Sequence, residues 1–163
     1  LKITTGDRIE AVTDASSHQM TVYKNGAVIN EIPVTTGKPG FETRNGVKVV
    51  LEKQSFVRMR GTTVGIAEGS SDSYDLPVYY ATRVTWSGEY VHAAPWSVGS
   101  QGSANVSHGC TGMSTENAGW LYNMSRRGDV VEYTGTDKQM TLTNGYGDWN
   151  ESFTDYRQGS ALS

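Results

Sequence analysis

Met20-Thr21-Val22-Tyr23-Lys24-Asn25-Gly26-Ala27-Val28-Ile29-Asn30-Glu31-Ile32-Pro33-Val34 sets two apolar-rich runs on either side of Asn25-Gly26. That dipeptide is the strongest short signal for a two-residue hairpin, because both turn positions need positive φ and asparagine and glycine adopt it at least cost. Val22 and Tyr23 fall on one arm, Val28, Ile29 and Ile32 on the other. The pattern recurs along the chain. Asn45-Gly46 precedes Val47-Lys48-Val49-Val50-Leu51-Glu52, where Val47, Val49 and Leu51 alternate as in a half-buried strand. Ser87-Gly88 separates two further arms, Arg83 to Trp86 and Glu89 to His92. Nineteen glycines and nine tyrosines in 163 residues, with frequent Thr and Val, point the same way. A mostly β (α+β) domain is expected.

One main helix is expected from about Ser114 to Arg127. Ser114 is its N-cap, Glu116 sits favourably in the first turn, and Ala118, Leu121 and Tyr122 form the apolar stripe. Arg126 and Arg127 would close the last turn and Gly128 take the left-handed position beyond it. Asp129 to Tyr133 then reads as a return strand, and Asn150 to Gly159 as a short helical turn with Phe153 and Tyr156 packed on one side. Gly61 to Ala81, rich in Gly, Ser, Asp and Thr, reads as a long loop and candidate lid carrying Tyr74, Tyr79 and Tyr80.

Bulk properties narrow the function. The chain is long enough for one core without staples. Fourteen basic against seventeen acidic residues, with no cationic run, argue against a nucleic-acid partner. No apolar run approaches the ~18 residues of a membrane span, so no membrane insertion is expected, and Leu1-Lys2-Ile3 reads as the start of a soluble fragment of a longer precursor. One cysteine cannot form an internal disulfide, which leaves the compartment open.

That cysteine stands in Ser107-His108-Gly109-Cys110, whose flanks are polar or lack side chains and do not suit a core position. In an extended segment His108 and Cys110 would share a face. The imidazole and the amides at the following helix N-terminus would then depress the thiol pKa. Cys110 is therefore a candidate nucleophile. His92, at the end of a predicted strand, is a candidate base brought to it by the fold.

His92-Ala93-Ala94-Pro95-Trp96 followed by Ser107-His108-Gly109-Cys110 resembles the signature of the L,D-transpeptidase catalytic domain, the YkuD family, especially its mycobacterial and related actinobacterial members. Ser97 to Gly102 and Gly147-Asp148-Trp149-Asn150 also resemble that subgroup. The resemblance implies a β-sandwich with one main helix after the cysteine, residues 1–135 forming the catalytic domain and 136–163 a C-terminal extension packed on it. It implies Cys110 as nucleophile, His92 as base oriented by the backbone carbonyl of Ala93, and an oxyanion site from His108 and the amides of Gly109 and Cys110. Ser107 belongs to the same shell, while Trp96, Tyr74 and Tyr79 or Tyr80 line the substrate channel. Two departures stand out: Ala93 where relatives often have serine or glycine, and Thr111-Gly112 where they commonly have an aliphatic residue and then Asn or Arg. The second puts substrate contacts at Gly112 in question.

The implied reaction joins peptidoglycan stem peptides, donor and acceptor, through 3→3 links, without a cofactor or metal. Carbapenem-type β-lactams would acylate the cysteine. The resemblance further implies a monomer exported to the periplasm or cell wall, with any membrane anchor in a segment outside this sequence. Three alternatives remain at this level: zinc bound by His92, His108 and Cys110; hydrolysis, giving a cysteine carboxypeptidase or endopeptidase; or a non-catalytic wall-binding module. His18 reads as a solvated turn residue.

Overall fold

Asn25 and Gly26 carry φ values of +54° and +85°, so the turn is of the primed type and Lys24 pairs with Ala27. The computed structural model describes residues 2–161. The hairpin strands are β2 (Gln19–Lys24) and β3 (Ala27–Pro33), preceded by β1 (Ile9–Asp14). The chain continues through β4 (Gly46–Val49), β5 (Glu52–Arg60), β6 (Asp75–Arg83), β7 (Tyr90–Ala93), β8 (Thr111–Met113), α1 (Thr115–Met124), β9 (Val130–Thr134) and α2 (Phe153–Gln158). Two sheets result, ordered β3-β2-β1-β9-β4 and β5-β6-β7-β8. β1–β9 and β7–β8 are parallel pairs and the rest antiparallel.

Both sheets and α1 feed one apolar core: Met20, Val22, Ile32, Val91, Met113, Ala118, Leu121, Val131 and Tyr133 belong to a single buried cluster. Ser114 caps α1 as expected, accepting from the Asn117 amide. The helix stops at Met124, three residues early, and Arg126 to Asp129 instead form a turn in which the Asp129 carboxylate accepts the Arg126 amide at 2.6 Å. Gly128 has positive φ in that turn, not at a helix end. Phe153 and Tyr156 lie on α2 but are exposed rather than packed.

Two expectations need correction. The alternation from Val47 to Leu51 does not run as one strand: β4 ends at Val49, the chain crosses between sheets at Val50-Leu51, and β5 begins at Glu52. Lys48, which sits between those apolar positions, is fully buried, and its ammonium is paired with Glu89 at 2.7 Å. The long loop is also shorter than expected, because β6 takes its last third, from Asp75 onward. Pro77, which argues against a central strand, is tolerated because β6 pairs with β7 only at Thr82 and Arg83, leaving the proline with no ladder partner on that side.

Thr111 on β8 and Tyr133 on β9 tie the sheets together next to the cysteine. Their hydroxyls lie 2.6 Å apart and both side chains are buried. Tyr133→Phe leaves Thr111 Oγ1 without this partner in the interior, so a loss of about 1–3 kcal/mol is expected from urea denaturation.

Candidate active site

β7 and β8 run side by side, with His92 opposite Gly112 and Val91 opposite Thr111. Cys110 is the residue before β8, so the sheet register brings it beside the start of β7 despite the seventeen residues between it and His92. The Ser107–Cys110 segment is bent, not extended. Gly109 has a φ of +117°, which only glycine adopts without strain, and its carbonyl accepts from buried Thr43 Oγ1 at 2.9 Å. Ser107 Oγ staples the bend by donating to the Cys110 carbonyl at 2.5 Å and accepting from the Gly109 amide at 3.1 Å. Upstream, Asn105 holds the approach, donating to Ala15 O at 2.8 Å and accepting from the Thr36 amide at 3.0 Å. His18 bonds the same Asn105 oxygen at 2.9 Å, so it braces this loop rather than standing in solvent.

His92 is buried, and its Nδ1 lies 2.8 Å from the carbonyl oxygen of Ala93. A carbonyl can only accept, so Nδ1 carries the proton and the neutral ring keeps its lone pair on Nε2. Burial pulls the imidazolium pKa down, opposed by that hydrogen bond. Trp96, about half exposed, lies with its ring 6.0 Å from that of His92.

The thiol departs from expectation. Desolvation pushes Cys110 up to about 12, and the Glu89 carboxylate adds to this while the Tyr90 amide and Lys48 act against it. The residue is partly exposed, and its sulfur lies 3.7 Å from Gly88 O. The expected help is missing for geometric reasons: β8 lies between sulfur and helix, and the bend at Gly109 undoes the extended geometry. His108 is occupied elsewhere. Its ring packs between Phe41 (centroids 4.8 Å) and Tyr74 (4.9 Å), and Nε2 is 3.6 Å from Asp72. Desolvation and the nearby Lys38 charge lower its pKa, so it is a neutral neighbour near pH 7.

Cys110 and His92 open onto one cavity of about 110 Å³, lined also by Tyr74, Trp96, Ser107, His108 and Gly112. A second, more polar cavity of about 360 Å³ reaches Cys110, His108 and Gly109 past Arg44, Glu42 and Lys138. Tyr79 and Tyr80 are not part of either. Both are on β6: Tyr79 is exposed against Phe56 (5.4 Å), and Tyr80 turns under α1 against Gly119 and Tyr122 (5.7 Å). Among the described residues no three metal-ligating side chains converge, so His92, His108 and Cys110 do not make the zinc set considered above. Sequence reasoning missed Lys48 and Glu89, a buried ion pair behind the cysteine, and Arg44, partly buried, which joins it.

Gly112 is explained by packing. Its amide and carbonyl bond Thr35, and a Cβ there would meet Ala94 Cβ at 2.8 Å and Thr35 Cγ2 at 3.0 Å. Gly112→Ala is expected to lower stability by about 1–3 kcal/mol, read as a reduced denaturation midpoint.

Residues 8–132 match the model of the YkuD L,D-transpeptidase catalytic domain. This chain belongs to that family. It is 47% identical over 131 residues to L,D-transpeptidase 1 of Mycobacterium tuberculosis, covering 80% of this chain and 52% of the relative. To L,D-transpeptidase 2 of the same organism it is 38% identical over 159 residues, covering 97% and 39%. The fold matches a solved L,D-transpeptidase in complex with imipenem, with a TM-score of 0.78 at 46% identity over 79% of this chain and 60% of that one. It also matches L,D-transpeptidase 3 from M. tuberculosis with a faropenem-derived adduct, with a TM-score of 0.76 at 36% identity over 79% and 61%. The chain spans about half the length of the first of these curated relatives. As an L,D-transpeptidase domain it has the two-sheet, mostly β architecture of the family.

Proposed function

We propose that this domain is a peptidoglycan L,D-transpeptidase that uses Cys110 as nucleophile and His92 as general base. The observation that carries the reading is the His92 Nδ1 to Ala93 O hydrogen bond at 2.8 Å, which leaves Nε2 free as a base in the cavity that also holds Cys110. The thiol proton passes to Nε2 as sulfur bonds the carbonyl that precedes the terminal D-alanine of a tetrapeptide stem. His92 returns the proton to the departing amine, leaving a thioester. A diaminopimelate side-chain amine of a second stem then attacks, gives a proton to His92, and forms the new amide as the thiol is regenerated. Backbone orientation of His92 makes the alanine at 93 compatible with this role.

The oxyanion groups in this proposal are the Cys110 amide and His108, joined by the Gly109 amide once it leaves Ser107 Oγ. Tyr74 and Trp96 flank the donor stem, and the two cavities meeting at the sulfur support separate approaches for donor and acceptor. Residues 1–135 carry this chemistry and 136–163 form the extension. No cofactor enters the scheme. Carbapenem-type β-lactams act as covalent inhibitors, as the imipenem complex and faropenem-derived adduct of the relatives support. The working location is the cell envelope outside the membrane and the working unit a monomer; among the described residues no helix is long and apolar enough to cross a membrane. The test is mass spectrometry of products from a defined disaccharide tetrapeptide. A cross-linked dimer that has lost one D-alanine supports the proposal; tripeptide alone would mean hydrolysis, and unchanged substrate would overturn it.

A further inference from the structure

Two backbone groups act on the sulfur, and they come from the residues on either side of Glu89. Gly88 contributes the carbonyl 3.7 Å from Sγ, and the Tyr90 amide favours the thiolate. Glu89 is itself buried and saturated with partners. Oε2 accepts from Lys48 Nζ at 2.7 Å, Oε1 accepts from the Arg44 amide at 3.1 Å and from Arg44 Nη1 at 2.9 Å, and the Glu89 amide donates to Thr85 Oγ1 at 2.9 Å. Lys48 is fully buried on β4, with its ammonium also 4.0 Å from the Tyr133 ring centre. A buried ion pair is a poor source of stability compared with apolar residues of similar volume, so its presence directly behind a nucleophile calls for another reason.

We propose that Glu89 is a positioning residue for the nucleophile: anchored by Lys48 and Arg44, it locks the Gly88–Tyr90 strap against which Cys110 Sγ rests. The proposal stands on the reading of Cys110 as the attacking group. Without the anchors the strap is free to shift, and the sulfur loses the Gly88 contact that aims it into the cavity shared with His92. The charges of the pair reach the sulfur in opposite senses. Lys48 from β4 favours the thiolate and Glu89 opposes it, while the other titratable groups around the sulfur are Tyr90 and His92 on β7, Tyr133 on β9, Tyr74 just before β6 and His108 beside it. These tyrosines stay neutral, because burial raises all three.

The experiment measures two rates on the full chain, acylation by imipenem followed by intact mass and alkylation of Cys110 by iodoacetamide as a function of pH. Wild type that takes up one imipenem, while Cys110→Ala takes up none, secures the nucleophile. Unmodified wild type would overturn that assignment and this inference with it. The informative variant is Glu89→Gln with Lys48→Met, which leaves neither member of the pair as a lone buried charge. It is expected to melt cooperatively yet acylate about tenfold or more slowly, as small misplacements of a reacting group do. Its alkylation midpoint stays near that of wild type, since both charges are gone. Lys48→Met alone leaves Glu89 without its nearest counter-ion and shifts the midpoint to higher pH. A folded double variant that acylates at the wild-type rate overturns the proposal, as does a Lys48→Met midpoint that stays put or falls. If the double variant does not melt cooperatively, Arg44→Gln decides, because Arg44 is only partly buried. Several-fold slower acylation supports the role, and an unchanged rate overturns it.

Discussion

Cys110→Ala is expected to abolish covalent capture of a carbapenem and to cut turnover of a disaccharide tetrapeptide by about 10⁴-fold or more, since removing a nucleophile removes the whole covalent route. The fold should survive. The sulfur makes a single long hydrogen bond, to Gly88 O at 3.7 Å, and the alanine Cβ keeps the backbone geometry set by Ser107, Thr43 and Gly109. Near-native melting together with a lost adduct would therefore separate chemistry from structure. The measurement is intact mass before and after incubation. A variant that still gains one drug mass would remove Cys110 from its role, and any second adduct on wild type would reveal another nucleophile.

How much of this site the sequence made legible depends on the kind of signal each residue sends. Cys110, His92 and the hairpin at Asn25-Gly26 announce themselves, because a lone thiol with polar flanks and a turn dipeptide are local features. The sulfur's environment is not local. Its raised pKa comes from burial created by β7, β8 and the 88–90 segment meeting, and β8 has only three residues, too few to carry a periodic pattern. The Gly, Ser and Asp upstream draw Tyr79 and Tyr80 into the expected loop, whereas both lie on β6, with Tyr79 opposite Phe56 of β5. Tyr80 even carries a φ of +54°, which turns it from the ladder toward α1, and no residue preference for tyrosine would suggest that.

Lys48 is the instructive failure. Alternation of Val47, Val49 and Leu51 looks like an amphipathic strand with lysine outward, and that inference assumes that charge seeks water. Here the inward lysine has a carboxylate waiting, contributed from a hairpin forty-one residues later. Such long-range pairing leaves no mark in a local window. A lysine and a glutamate that each fall on predicted strands, with no salt-bridge partner at short spacing, would have been the available hint.

His92→Ala is expected to reduce acylation by about 10²–10⁴-fold, the usual worth of a general base, while Ala93→Gly leaves the rate within a few-fold of wild type because the carbonyl that accepts from Nδ1 is retained. The pH dependence gives the sharper discrimination. His92 is shifted downward from 6.5, so the imidazole stays neutral until the pH falls below that value, and the acid limb of the wild-type acylation profile should have its midpoint below pH 6.5. With the thiol up at about 12, the resting pair is a neutral thiol beside a neutral imidazole, not a preformed ion pair. Proton transfer to Nε2 during attack then gives a plateau through the neutral range. A free thiolate acting alone would instead climb about tenfold per pH unit across the same range, because its population is still far from saturation. His92→Ala should convert the first shape into the second, leaving a slow reaction that accelerates with hydroxide. A variant that keeps the plateau would show that another group takes the proton, and a wild type that climbs through pH 7–9 would show that His92 does not.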